Sequence, residues 1–168
     1  EPYLVSLFPV FLPISSLKTF GTLIGIWYLL VRLLLPLYLS LKEDVLKTDY
    51  LMADETPIPV LTKDKPGSTH KGYHWLYYDP VRKLVLFDYR KTRSREGPNE
   101  ILADFEGSLQ TDGYIGYTQF EAKEKVQLLT CAAHCRRKFE SALENDHDRA
   151  TKALTFFQKL YAIERIAK

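Results

Sequence analysis

Two aspartates stand where a strand ends or is buried, and their surroundings suit metal chemistry. Asp54 lies in Tyr50-Leu51-Met52-Ala53-Asp54-Glu55-Thr56-Pro57-Ile58-Pro59-Val60-Leu61, and Asp112 in Ser108-Leu109-Gln110-Thr111-Asp112-Gly113-Tyr114. Carboxylates fixed on neighbouring strands can hold two magnesium ions about 3.5–4 Å apart, which activate an attacking oxygen and stabilise the leaving oxygen of a phosphodiester. In that chemistry Asp54 is the candidate to bridge both ions and Asp112 to bind one, with Mg2+ or Mn2+ as the cation. Taken singly, each aspartate has a plainer explanation. An aspartate before Gly-Tyr is often a turn residue, and Asp54-Glu55-Thr56 could be a solvated strand end. The order of the elements around them favours the metal.

Residues 51–53 and 58–61 are apolar around Asp54, which reads as a buried strand with an irregular, proline-containing exit. Lys63-Asp64-Lys65-Pro66-Gly67 is a turn by its proline and glycine. Residues 72–78 and 83–89 are rich in strand-forming side chains and flank the turn Asp79-Pro80-Val81-Arg82, so they form a hairpin. A short helix is expected over 98–105, with Pro98 in its first turn. A strand at 108–111 runs into Asp112 and is broken by Gly113. A short helix over 117–123 and a strand over 126–131 come next. From Ala132 onward the pattern is helical, carried by Phe139, Leu143, Ala150, Leu154, Phe157, Tyr161 and Glu164, with a break at Asn145-Asp146-His147-Asp148. This order predicts an α/β protein with a ribonuclease H-like mixed sheet and flanking helices. Its first and fourth strands would lie parallel at the sheet centre and bring Asp54 and Asp112 together.

A chain of 168 residues is long enough for one domain with a real core, and 46% hydrophobic against 26% charged residues argues against disorder. The net charge is only +2, so any polyanion-binding surface must be local. Two basic clusters offer one. Arg90, Lys91, Arg93 and Arg95 follow the hairpin, and Arg136, Arg137 and Lys138 follow His134. All eight are candidates for DNA contacts that position the duplex without reading its sequence. They equally suit solvated loops, and His134 equally suits a strand-to-helix cap. Cys131 and Cys135 have only His134 beside them as a further ligand, short of the four that structural zinc takes, so free thiols in a reducing compartment are expected. Glu121, Glu140, Glu144 and Glu164 are candidates for a third carboxylate, though each reads more readily as a solvated helix-surface charge.

The amino-terminal part differs in composition. Residues 20–39 have only Arg32 and Pro36 as strong polar or breaking residues and are long enough to span a bilayer. Arg32 near the middle would cost about 2.5–3.5 kcal/mol there. A buried or partner-packed helix over 23–41 is therefore preferred, and a membrane partner is not expected. Residues 4–14 are apolar with Pro9 and Pro13, and no secretory signal pattern is evident. The chain divides into an apolar helical segment 1–41, a core 42–131 and a helical region 132–168. It begins at Glu1 and its one methionine is Met52, so the reading frame is expected to start further upstream.

The segment from Asp49 to Leu61 resembles the first catalytic block of the insertion-sequence 66 family of DDE transposases. Lys71-Gly72-Tyr73-His74-Trp75 and Phe87-Asp88-Tyr89-Arg90 resemble that family's hairpin. Leu109-Gln110-Thr111-Asp112-Gly113-Tyr114 resembles its second catalytic block. Cys131-Ala132-Ala133-His134-Cys135-Arg136-Arg137-Lys138-Phe139 is similar to its Ala-His-x-Arg-Arg-Lys-Phe stretch, and Leu160-Tyr161-Ala162-Ile163-Glu164 to a helix beyond it. The likeness runs from about Leu34 to Glu164. It implies DNA cleavage and strand transfer in transposition of an insertion sequence, with Asp54 and Asp112 as catalytic and metal-binding residues and Mg2+ or Mn2+ as cofactor. It also implies transposon ends and target DNA as partners and a bacterial cytoplasmic, nucleoid-associated location, and it leaves homo-oligomerisation open. Two departures stand against it. The family's last acid lies in a downstream Asn-Asn…Glu-Arg stretch, and Glu164-Arg165 has no Asn-Asn before it. Pro36-Leu37-Tyr38 resembles the family's Pro-Leu-Tyr, whereas residues 1–30 match poorly. The departures imply a fragment inactive alone, and leave open a non-catalytic DNA- or partner-binding remnant or a membrane-tethered protein.

Overall fold

A computed structural model of the chain describes residues 17–62, 65 and 67–167. The apolar run at 4–14 and residues 63, 64 and 66 of the expected turn lie outside the described residues. Helix α1 (Leu17–Leu46) leads into strands β1 (Tyr50–Leu61), β2 (Thr69–Asp79) and β3 (Leu84–Arg90). A short helix α2 (Glu96–Ile101) precedes β4 (Gly107–Thr111), and a 3-10 segment (Ile115–Ala122) precedes β5 (Val126–Thr130). Helix α3 (Ala132–Ser141), a 3-10 turn (Ala142–Glu144) and α4 (His147–Ala167) follow.

The five strands form one mixed sheet in the order β3-β2-β1-β4-β5. β1 pairs antiparallel with β2, and β2 with β3, while β1–β4 and β4–β5 are parallel. The first and fourth strands are thus neighbours, with β1 at the centre.

Strand alternation sorts the side chains. Leu51, Ala53 and Glu55 of β1 face the buried side; Tyr50, Met52 and Asp54 face a half-buried one. On the buried side Trp75, Tyr77, Leu86 and Leu109 join the first set, covered by Val45 of α1, Ile101, Leu102 and Phe105 around α2, and Tyr117 and Phe120 of the 3-10 segment. Each such large side chain taken out of water is worth about 1.5–3 kcal/mol. Trp75 of β2 and Tyr117 meet edge to face with ring centroids 5.9 Å apart, which pins the segment between β4 and β5 to the core face of the hairpin.

The strand expected to have an irregular, proline-containing exit is one continuous twelve-residue element through both prolines. The Ser108 N–H donates to the Asp49 carbonyl at 2.8 Å, so odd-numbered backbone groups of β1 point toward β4. β4 pairs with β1 only as far as Met52. Pro57 and Pro59, both odd, place their missing donors on the edge that has no partner, where proline is tolerated.

Helix α2 starts two residues before Pro98 and ends at Ile101, shorter than expected. Ile101, Leu102 and Phe105 are all buried, and a tight turn in which the Phe105 N–H donates to Leu102 brings all three inward. That turn delivers Gly107 into β4 at φ +126, where an added Cβ would lie 2.7 Å from the Asp49 carbonyl oxygen. The hairpin turn is fixed by Asp79, which is buried and accepts from the Val81 and Arg82 N–H groups and from Arg82 Nε at 2.6 Å. Burial would raise the Asp79 carboxyl, but Arg82 and the two backbone donors outweigh it and hold it below the usual range. Lys83, expected to open β3, closes this turn at φ 58.

α1 continues beyond residue 41, and its last turns pack Leu41, Val45 and Leu46 onto the core. The portion before that carries exposed Ile24, Trp27, Leu33, Leu37 and Leu39, and Ile24–Leu46 is long and apolar enough to cross a membrane by length and composition. α3 and α4 form a helical hairpin through Phe139, Phe157 and Tyr161, with centroids 6.0 and 6.4 Å apart. The chain breaks between them where Asp146 Oδ1 accepts the Arg149 N–H.

Candidate metal centre

β1 and β4 part company just beyond their last paired rung, Met52 with Gln110. Asp54 is two residues further along β1, and Asp112 directly follows β4. In open sheets with parallel strands, ligand sites form at the carboxyl ends where neighbouring strands diverge. Here the gap gathers Asp54, Asp112 and Glu55, each of which offers one carboxylate oxygen within 4.8 Å of those offered by the other two.

The two aspartates are held in the same way. Asp54 Oδ1 accepts the Glu55 N–H at 2.9 Å, a donor that β4 no longer reaches. Asp112 Oδ1 accepts the Tyr114 N–H at 2.8 Å, in a turn made by Gly113 at φ +81 and supported by the Gly113 N–H donating to Thr111 Oγ1. Each aspartate therefore has Oδ1 anchored to the following backbone, which leaves Oδ2 without a backbone bond. Carboxylate oxygens are the hard donors that Mg2+ and Mn2+ select, so these residues fit such an ion.

The plainer alternative for Asp54-Glu55-Thr56, a solvated strand end, does not describe Glu55, whose side chain is only 1% exposed. Arg93 Nε donates to Glu55 Oε1 at 2.5 Å and Nη2 pairs with the same oxygen, while Tyr117 Oη donates to Oε2 at 3.3 Å. Burial pushes the Glu55 carboxyl up; the hydrogen bond from Arg93 draws it down, Asp112 and Asp54 raise it again, and the balance is upward. The sequence did hold a signal for Glu55: it shares strand parity with Leu51 and Ala53 and so belongs to the core face. Arg93 Nη2 lies 3.5 Å from Asp112 Oδ2, and its guanidinium stacks 3.8 Å above the Tyr114 ring. Glu121, Glu140, Glu144 and Glu164 are not members of this cluster.

Between the Gly113 turn and α3 lies an open cavity of about 480 Å³, lined by Arg93, Asp112, His134, Arg137 and Lys138 among others. His134 Nε2 is 3.9 Å from Asp54 Oδ2, and its Nδ1 is buried with no hydrogen-bond partner among the described residues. The remaining basic residues divide. Arg90 is committed to Asp88 and Glu100, at 2.6 Å each, and Arg136 to Glu140 at 2.6 Å. Lys91 and Arg95 are exposed on the loop after β3, away from this cavity. Cys131 and Cys135 are free thiols.

The fold and the site thus define an α/β protein with a three-carboxylate cluster at the mouth of its central parallel strand pair. Residues 20–168 match the family described as Transposase IS66 family, and the chain belongs to that family. It is 30% identical over 137 residues to the uncharacterized protein y4qI of Sinorhizobium fredii (strain NBRC 101917 / NGR234), covering 73% of this chain and 25% of that protein. Two further uncharacterized proteins of that strain match: y4jD at 26% identity (90% of this chain, 31% of the relative) and y4hP at 28% (79% and 28%). The chain spans about a quarter to a third of the length of these curated relatives. No solved structure matches it significantly.

Proposed function

We propose that this chain supplies a ribonuclease H-like catalytic core to an IS66 family transposase, cutting and joining DNA with Mg2+ or Mn2+ held by Asp54 and Asp112. The observation that carries this reading is their matched anchoring beside the β1–β4 gap, where each offers a carboxylate oxygen within 4.8 Å of the other's. The sheet order β3-β2-β1-β4-β5 and the family membership support it.

When bound, the cation would activate the attacking oxygen and stabilise the leaving oxygen of a phosphodiester. The protein's own residues do the positioning. Asp54 and Asp112 are pre-aligned by backbone donors, which lowers the cost of ordering them around an ion. Arg137 and Lys138 have no ion-pair partner among the described residues and line the cavity beside Asp112, where they would hold DNA phosphates. Transposon ends and target DNA are the proposed partners and the cytoplasm the proposed location.

Calorimetric titration with Mn2+ tests the reading. The unaltered chain is expected to bind, and Asp54→Asn to lose binding while keeping its circular dichroism spectrum. A wild-type chain that binds no Mn2+ would falsify the metal assignment and favour a non-catalytic DNA-binding role for the same fold.

A further inference from the structure

We propose that Arg93 is the resident counter-cation of the acidic cluster and competes with a divalent ion for Asp112 and Glu55, so that its withdrawal gates cation binding. This rests on the metal reading above.

Three observations support it. The guanidinium is bonded to Glu55 and lies 3.5 Å from Asp112 Oδ2, the oxygen that the Tyr114 N–H does not hold. A divalent ion held by Asp54 and Asp112 would therefore sit within a few ångströms of a positive charge, and like charges that close oppose one another strongly. Secondly, Arg93 reaches in from solvent, with its side chain 40% exposed against 1% for Glu55, so it can leave without opening the core. Thirdly, the backbone would stay behind, since Tyr114 Oη donates to the Arg93 carbonyl at 2.5 Å and fixes the point from which the side chain swings. The Tyr114 ring, 3.8 Å below the guanidinium, offers a surface along which it moves.

The two ends of the ion pair give opposite expectations. Arg93→Gln removes the competing charge and should tighten Mn2+ binding by on the order of tenfold. Glu55→Gln frees Arg93 to pair fully with Asp112 and should weaken binding. A merely structural role for the pair would weaken binding in both variants. The unaltered chain gives a second readout that does not depend on any variant folding. Titration with Mg2+ should move the Arg93 Nε–H resonance as its bond to Glu55 is lost. An Arg93→Gln chain with a native circular dichroism spectrum that binds Mn2+ no more tightly than wild type would overturn the inference, as would an Nε–H resonance unmoved at saturating Mg2+. Absence of Mn2+ binding in both wild type and Arg93→Gln would instead remove the metal centre itself, a separate result.

Discussion

Tyr50 Oη donates a 2.6 Å hydrogen bond to Gln110 Oε1, tying β1 to β4 across the parallel pair just before the two strands separate. That bond braces the strand pair directly before the gap that holds Asp54 and Asp112, and it is expected to set how far the gap opens. Tyr50→Phe should cost about 1 kcal/mol in urea unfolding with an unchanged m-value. It should also weaken Mn2+ binding several-fold. Gln110→Leu should do the same, and the double variant should add little to either, because both changes remove one interaction. Full additivity of the two single effects would mean that the bond does not set the spacing.

Much of this arrangement was legible before any coordinates. Runs of strand-forming side chains on either side of the Asp79-Pro80 turn give the hairpin, and the strand order puts Asp54 and Asp112 on neighbouring strands. What escaped depended on edges and faces. Pro57 and Pro59 looked like a strand terminus, because a linear sequence does not say which edge of β1 is unpaired. Glu55 and Arg93, 38 residues apart, meet only once β1 and the loop after β3 are folded against each other. Arg93 therefore read as one more basic loop residue. The split within Arg136-Arg137-Lys138 was half legible: the i,i+4 spacing of Arg136 and Glu140 is in the sequence, but that Arg137 and Lys138 line the cavity beside Asp112 needs the fold.

That split gives a test of the proposed DNA contacts. Arg137 and Lys138 face the cavity beside Asp112, whereas Arg136 is paired along its own helix. Binding to a short duplex, measured as a function of salt, should respond unequally. Arg137→Ala and Lys138→Ala should each weaken binding and reduce the log–log salt slope by about one phosphate contact. Arg136→Ala should leave the slope unchanged and lower helix stability by about 0.3–0.5 kcal/mol at most. Equal losses in all three would mean that the duplex lies along α3 as a whole rather than in the cavity.

Tyr117 links the site to the alkaline limit of stability. It is fully buried, and its hydroxyl donates to Glu55. Burial first, then Tyr77, Glu55 and Asp112, raise its ionisation far above the usual tyrosine range. A raised pKa in the folded state means that the folded chain keeps a proton which the unfolded chain releases. Stability from this group is therefore intact below about pH 10 and is lost as pH rises beyond it, by about 1.4 kcal/mol per pH unit. Tyr117→Phe has no such proton to lose. At pH 7 it should be less stable than wild type by about 0.5–1.5 kcal/mol, the worth of the lost hydrogen bond. Above pH 10 its stability should fall less steeply, so the two urea-derived curves should converge and cross near pH 11. Parallel curves would mean that Tyr117 ionises as freely as it does in an unfolded chain, and would remove it from the dry wall behind Glu55.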